Sequence, residues 1–242
     1  MSKQTGLNSG LLVGASDISG DVGALTTIGS PRSVHLVTGI DKSAPERNLG
    51  LSDGIIEFAP WYNAVGAHVD LAALPSTDIQ VSAFLPKTQG SVVASLLAKQ
   101  INYDWTRDQA GNLTGAVQAL ASAGVALEMG VQLTAFLDTF TTAAATSSVD
   151  NRAATTGGAV IVHCTAFTGT DLVIDLQEST DDGAGDAFAD VDVSVQVTVT
   201  APGVQRLEIG EAIGVERYVR ANITGTFTTA DVAIIYVSGP AV

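Results

Sequence analysis

Short apolar runs separated by Gly, Asp, Ser and Pro set the pattern near the start of the chain. Residues 11–58 contain LLVGASDISGDVG, SVHLVTGIDKSAPERNLGLSDG and IIEFA in succession. Runs of this length, bounded by turn-forming residues, are typical of strands. The pattern therefore predicts several short strands. Within it, SAPERNLGLSDG at 43–54 is predicted to be a long loop, and loops of that length are often functional.

Longer β-prone runs fill the chain from residue 158 onward. They are GAVIVHCTAF, TDLVIDLQEST, ADVDVSVQVTVTA, QRLEIGEA and, at 215–237, VERYVRANITGTFTTADVAIIYV. Runs at this spacing, with a DDGAGD turn between two of them, indicate a sandwich or barrel. The last run is predicted to be two antiparallel arms around a turn near 224–229. Its first arm places Val219, Ala221 and Ile223 on one face because side chains alternate along a strand.

One amphipathic helix is predicted at residues 60–74, PWYNAVGAHVDLAAL. Pro60 suits the first helical turn and Pro75 ends the helix. An apolar stripe recurs at helical spacing and is expected to lie on a sheet. Its members are Trp61, Val65, Val69 and Ala72.

The middle of the chain predicts a hairpin and then a break in the pattern. Residues 89–100 fit a short helix or a buried strand equally well. Residues 101–122 predict a hairpin around the polar turn RDQAGN. Residues 139–157 lose hydrophobic periodicity and predict a linker or long loop. The predicted domains are therefore 1–138 and a C-terminal β-sandwich at 158–242, with one continuous β domain, 1–242, as the alternative.

Charge narrows the possible partners. With 25 Asp plus Glu and 11 Lys plus Arg, the formal net charge is −14. This charge disfavours tight nucleic-acid binding but is compatible with a surface past which DNA slides without adhering. Arg217 and Arg220 are among the few positive charges available to acidic neighbours.

The cysteine count and the apolar windows predict a soluble protein held together by packing alone. Cys164 is the single cysteine, so an intrachain disulfide is excluded. The N-terminal sequence MSKQTGLNSGLLVGAS lacks the pattern of a secretory signal. The most apolar window, residues 121–137, is interrupted by Glu128 and Gln132 and is too short to predict a membrane span.

Residue patterns for enzyme chemistry or cofactor binding are missing from the sequence. There is no GxSxG, Walker or GxGxxG motif, and His35, His68 and His163 lie far apart. His163 and Cys164 are neighbours on a predicted strand and point to opposite faces, so they cannot form a dyad. We therefore expect neither an enzyme nor a bound cofactor or metal.

An acidic run at 181–192, DDGAGDAFADVD, leaves two interpretations open. Its carboxylates are the ligands that calcium prefers, but the spacing does not fit an EF-hand loop. An Asp-Gly hairpin turn accounts for the same residues.

Six segments in order resemble the major tail proteins, or tail-tube proteins, of long-tailed phages, especially those infecting actinobacteria. These segments are GLLVGASDISGDVGALT, APERNLGLSDGIIEFAPWYN, HVDLAALPSTD, LLAKQINYDWTRDQAGNLTGAVQA, GTDLVIDLQESTDDGAGDAFADV and VERYVRANITGTF. The resemblance covers most of the chain. It implies a mainly β fold, a sandwich or barrel with one flanking helix.

The resemblance also implies how such a protein assembles. Six copies would close into a ring, and rings would stack into a tube around viral DNA that passes without specific binding. Contacts between rings would use the long loop, with Pro45, Glu46, Arg47 and Asn48 near its tip. The partners would be further copies of the chain, the tape-measure protein, and the tail terminator and distal tail proteins. The location would be the virion tail, after assembly in the cytoplasm of the bacterial host.

Two other functions remain open at this stage. One is another phage structural component, such as a capsid decoration or head-to-tail completion protein. The other is a carbohydrate-binding β-sandwich module. Such a module usually presents an aromatic platform, and the only tryptophans, Trp61 and Trp105, lie outside 158–242.

Overall fold

The computed structural model describes residues 6–72 and 77–239. The fold is mainly β, as predicted, and these described residues contain one short helix, α1 (Ala67–Leu71), and a 3₁₀ turn at Ser19–Asp21. The strands up to residue 121 are β1 (Gly10–Val13), β2 (Ser16–Asp17), β3 (Val22–Gly29), β4 (Arg32–Leu36), β5 (Arg47–Ser52), β6 (Ile55–Pro60), β7 (Ile79–Leu85), β8 (Val92–Arg107) and β9 (Leu113–Ala121). The later strands are β10 (Glu128–Gln132), β11 (Asp138–Phe140), β12 (Ala144–Ala145), β13 (Val149–Asp150), β14 (Thr155–Ser179), β15 (Ala189–Asp190), β16 (Gln196–Val199), β17 (Gly203–Val215) and β18 (Tyr218–Ser238).

The described chain forms two compact units. The first contains the described parts of Met1–Gly20, Ser82–Ser95 and Met129–Val242, and the second contains the described parts of Asp21–Val81 and Leu96–Glu128. The predicted linker at 139–157 lies inside the first unit, where β11, β12 and β13 pair with β18. Whether 1–138 and 158–242 fold separately stays a prediction.

Two long antiparallel strands, β14 and β18, organise the first unit. They stay paired from Gly158↔Ser238 to Ser179↔Tyr218, and bulges between Cys164 and Asp171 shift the register. The predicted turn near 224–229 is wrong, since β18 continues through it. The two runs predicted as separate strands at 158–180 are likewise one strand, β14. Gly225 adopts a φ of 109°, which glycine tolerates beside a bulge, so the strand continues through this position.

The burial pattern of β14 changes along its length because its surroundings change. Residues 159–164 are buried on both faces. One face joins the core around Ile234 and Tyr236, and the other joins a second core around Leu12 and Phe84. Beyond the bulges burial alternates, and the buried residues Leu172, Ile174 and Leu176 join the first core, while β16 pairs with β14 within the sheet. A continuous apolar run therefore marks a strand covered on both faces, and an alternating run marks one covered on a single face.

The second unit has two separate sheets. Strands β3, β6, β9 and the later part of β8 pair in that order, all antiparallel. The hairpin predicted at 101–122 is confirmed, with Arg107 paired to Leu113. Of residues 89–100, left open between helix and strand, residues 92–100 form the first part of β8. Strands β4 and β5 form a two-stranded sheet of their own.

The predicted helix at 60–74 is mostly wrong. Residues up to Pro60 belong to strand β6, and only Ala67–Leu71 is helical. The Ala67 N–H donates to the Asp21 carboxylate at 2.9 Å, which fixes where the helix begins. Residues 73–76, including the predicted stop at Pro75, lie outside the described residues. The predicted stripe does not face the sheet either: Ala67 and Leu71 are buried, and the stripe residues are exposed.

Candidate assembly surface

The β4–β5 hairpin is the most exposed apolar element of the second unit. Its strands pair from Arg32↔Ser52 to Leu36↔Arg47. At its base the Asp53 N–H donates to the Pro31 carbonyl at 2.8 Å. Near its tip the Val37 N–H donates to the Glu46 carbonyl at 3.0 Å. Hydrogen bonds at both ends thus give the hairpin a defined shape.

One face of this hairpin is apolar and basic. Val34 lies opposite Leu49, and Leu36 lies opposite Arg47, so alternation puts these four side chains and Arg32 on the same face. We call these five residues the apolar hairpin face. Val34 is 53% exposed, Leu36 68% and Leu49 64%.

The other face of the hairpin is polar and closely packed. It carries Ser33, His35 and Asn48, with Gly50 between them. A Cβ at Gly50 would lie 2.0 Å from the Ser33 hydroxyl and 3.2 Å from the His35 ring. Only glycine fits at position 50 without displacing Ser33 and His35. One face of the hairpin is therefore apolar and the other polar.

The predicted contact residues all lie on this hairpin. Pro45 and Glu46 are in the segment connecting the strands, whereas Arg47 and Asn48 begin β5, and all four are exposed. The loop predicted at 43–54 is therefore wrong for 47–52, which pair as a strand. Their role in contacts between rings stays a prediction.

A buried serine–histidine network in the first unit was not found from the sequence. His163 is fully buried, and its Nδ1 donates to the Gly14 carbonyl at 2.8 Å, since a carbonyl can only accept. Its Nε2 accepts from the Ser82 hydroxyl at 2.8 Å, and that oxygen lies 2.5 Å from the Ser95 hydroxyl. Ser82, Ser95 and His163 are each a polar residue within a mostly apolar run. This is the only sign of the network in the sequence.

Burial makes this network unsuited to catalysis. Ser82 and Ser95 are fully buried as well, so a substrate cannot reach either hydroxyl. Burial lowers the pKa of His163 to about 4, partly opposed by its bond to Gly14. The imidazole is thus neutral at pH 7, and it links three separate segments of the first unit.

Cys164 points away from this network, as alternation predicts. Its thiol is buried and donates to the Ala166 carbonyl at 3.4 Å. Burial, and next the nearby Asp231 charge, raise the pKa of Cys164 to about 11. A thiol in this environment stays protonated and is a poor nucleophile.

The acidic run at 181–192 begins with a hydrogen-bonded turn. The Asp181 carboxylate accepts from the backbone N–H groups of Ala184, Gly185 and Asp186 at 3.1, 2.7 and 3.1 Å. These bonds, chiefly the one from Asp186, lower the pKa of Asp181. Across residues 6–72 and 77–239, no group of three His, Cys, Asp or Glu residues is placed to hold a metal ion.

The two C-terminal arginines have different partners. Arg217 forms a bidentate ion pair with Asp150 at 2.8 and 2.7 Å, so its predicted acidic neighbour is confirmed. This pair is the main reason that the pKa of Asp150 falls to about 2. Arg220 instead donates to the Gln177 side chain at 2.9 Å and lies 4.2 Å from the ring centre of Phe188.

An aromatic cluster packs beside helix α1. The Trp105 ring meets those of Tyr62 and Tyr103 edge to face, with ring centres 5.2 and 4.9 Å apart, and His68 stacks on Tyr103 at 5.7 Å. The His68 Nδ1 is 3.0 Å from the Tyr103 hydroxyl. Rings that meet edge to face do not lie in one plane, unlike the flat platform on which a sugar stacks.

Comparisons with known proteins identify no family. No protein-family model matches the chain, and no curated protein matches it. Within the part of the chain that is described, no helix is long and apolar enough to cross a membrane.

Several solved structures align with nearly the whole chain at low similarity. The Dit protein of phage SPP1, a hub of the adsorption apparatus in phages infecting Gram-positive bacteria, aligns at 10% identity and a TM-score of 0.33, covering 95% of this chain and 98% of that one. Two structures of the activated phage p2 baseplate, with strontium and with calcium, align at 8% and 9% identity, each with a TM-score of 0.34. They cover 94% and 96% of this chain and 97% and 98% of theirs. TM-scores this low do not establish a common fold, so no function is inferred from them.

Proposed function

We propose that the protein is a structural subunit of a phage tail, and more specifically a tail-tube subunit whose copies form stacked hexameric rings. The observation that carries this proposal is the apolar hairpin face. It supports a role in assembly because the hairpin has a defined shape and the residues of 6–72 and 77–239 leave it uncovered.

An exposed apolar hairpin of this kind makes a protein that acts alone prone to aggregation. Unpaired strand edges beside apolar side chains favour uncontrolled association, and soluble proteins normally cover or charge them. Assembly removes that problem, because a neighbouring copy covers the hairpin. The arginines on the face keep the free subunit soluble until then.

The net charge supports the second part of the proposal, a conduit for DNA. A tube built from subunits that each carry a net charge of −14 repels the phosphate backbone, so DNA can pass without adhering. The tape-measure, terminator and distal tail proteins enter as partners only through the sequence resemblance.

Electron microscopy of the purified protein tests this proposal. We expect stacked six-fold rings or tubes for the wild type. Leu36→Ser combined with Leu49→Ser should abolish them without unfolding the protein, because both side chains are exposed. Ser33→Ala with His35→Ala, on the opposite face of the same hairpin, is the matched control and should still assemble.

Two results would overturn the proposal. Wild-type protein that remains monomeric or trimeric at every concentration contradicts a tube, and trimers would favour a capsid decoration protein. If the Leu36→Ser, Leu49→Ser variant formed normal tubes, the apolar hairpin face would have no role in the assembly.

A further inference from the structure

A second apolar surface lies on the same unit, around helix α1. Trp61 is 48% exposed, Tyr62 45%, Val65 90% and Val69 62%. We call these four residues the helix surface. All four lie within nine consecutive positions, 61–69, and apolar side chains concentrated on a surface mark an interaction site more often than single exposed residues do.

The helix surface is held in place by contacts beneath it. The Asp21 carboxylate accepts from the Asn63 side chain at 2.9 Å and from the Ala67 N–H at 2.9 Å. Leu71 is fully buried, and its carbonyl accepts from the Gln100 side chain at 2.8 Å. A surface fixed in this way loses little conformational freedom when a partner binds.

Helix α1 and the apolar hairpin face carry charges of opposite sign. Helix α1 contains Asp70 and neither Lys nor Arg. The hairpin face carries Arg32 and Arg47 and no acidic residue. An arginine beside an exposed Trp or Tyr also gains a cation–π contact.

We propose that the helix surface of one copy binds the apolar hairpin face of a second copy. This inference rests on the proposed assembly function and names the surface that receives the hairpin. The contact joins two different patches, so each copy offers one of each to its neighbours. Such heterologous contacts continue from copy to copy and build rings or filaments rather than closed pairs.

Disulfide cross-linking of cysteine variants distinguishes this contact from the alternatives. Leu36→Cys and Val65→Cys change exposed side chains, and the native Cys164 is buried, so wild-type protein should not cross-link. Under mild oxidation the double variant should give a ladder of covalent multimers. Each single variant alone should give none, and a mixture of the two should stop at dimers. His35→Cys with Val65→Cys, which moves the thiol to the polar hairpin face, is the matched control and should give no ladder.

The outcomes separate this inference from the proposed function. Normal tubes by electron microscopy without a ladder from the double variant would overturn the hairpin-to-helix contact and leave the tube intact. Dimers from Val65→Cys alone would show that helix surfaces meet each other, which also overturns it. If wild-type protein neither assembles nor the double variant cross-links, both proposals are wrong.

Discussion

Acid pH should destabilise the fold through His163. In the folded protein its ring is buried among Gly14 and Ser82 and stays neutral, whereas in the unfolded chain it is free to bind a proton. Protonation would force an extra N–H onto the Ser82 oxygen and place a charge where water cannot reach. Acid therefore favours the unfolded state.

The size of the effect follows from the two pKa values. Burial lowers the pKa of His163 to about 4 in the folded state, and an unfolded chain has the ordinary value of about 6.5. Between these values the unfolded state binds more protons, so stability falls as the pH falls below about 6.5 and stops falling near 4. The loss is about 1.4 kcal/mol per pH unit inside that window, or about 2 kcal/mol between pH 7 and pH 5.

Urea unfolding of wild type and His163→Gln across pH 7.5 to 4.5 measures this contribution. Carboxylates titrate in both proteins, so the difference between the two pH profiles isolates His163. The variant should be less stable at pH 7, and its deficit should shrink by about 2 kcal/mol by pH 5. If the variant does not fold, an NMR titration of the wild-type imidazole gives the folded pKa directly.

Two results would refute this reasoning. Parallel pH profiles for wild type and variant would show that His163 does not change its protonation on unfolding. An imidazole that titrates near pH 6.5 in the folded protein would show that the ring is in contact with water.

Three further predictions concern the rest of the chain. Arg220→Glu should lower the free energy of unfolding in urea by about 1–2 kcal/mol, because a carboxylate replaces the cation over the Phe188 ring, and Arg220→Lys should lower it less. Equal stability of the Glu variant and wild type would show that Arg220 does not stabilise the fold. Gly225→Ala should cost about 2–4 kcal/mol by thermal unfolding, since its φ is positive and the new Cβ would meet a backbone oxygen at 2.6 Å, whereas Gly214→Ala, which meets nothing within 4 Å, should be nearly neutral. Proteolytic cleavage within 139–157 should leave the fragments associated during gel filtration, because the unit that holds this segment also contains N-terminal strands; two separately folded fragments would instead support two domains.

Local patterns predicted the strands but not where they end. The alternation at 219, 221 and 223 correctly marked buried positions. The turn near 224–229 was wrong because glycine and threonine in that stretch serve a bulge against Asp171 rather than a reversal of the chain. Whether a glycine ends a strand or bends it depends on the partner strand, which local sequence does not reveal.

Helical periodicity at 61–72 was real, but its interpretation was wrong. A period of about four positions shows that one side of an element is apolar, and it does not show what covers that side. In this chain Ala67 and Leu71 are the buried residues of the helix, and the larger residues Trp61 and Val69 are exposed. The same pattern is expected when the covering partner is another molecule.

The His163 network was beyond prediction for a different reason. Ser82 and His163 are 81 positions apart and meet only because the strands that carry them pack together. A polar residue in an apolar run does indicate a buried hydrogen bond, since an unsatisfied one is costly. It does not identify the partner.

The paired strands β14 and β18 also make the protein respond unequally to force. Their ladder runs from Gly158 beside Ser238 to Ser179 beside Tyr218, about 70 Å at about 3.3 Å per residue. Tension between Ser179 and Ser238 loads all the hydrogen bonds between the two strands together in shear. Tension between Gly158 and Ser238 instead breaks these bonds one at a time from one end. The unit should therefore be stiff when stretched along its strands and weak when opened from one end.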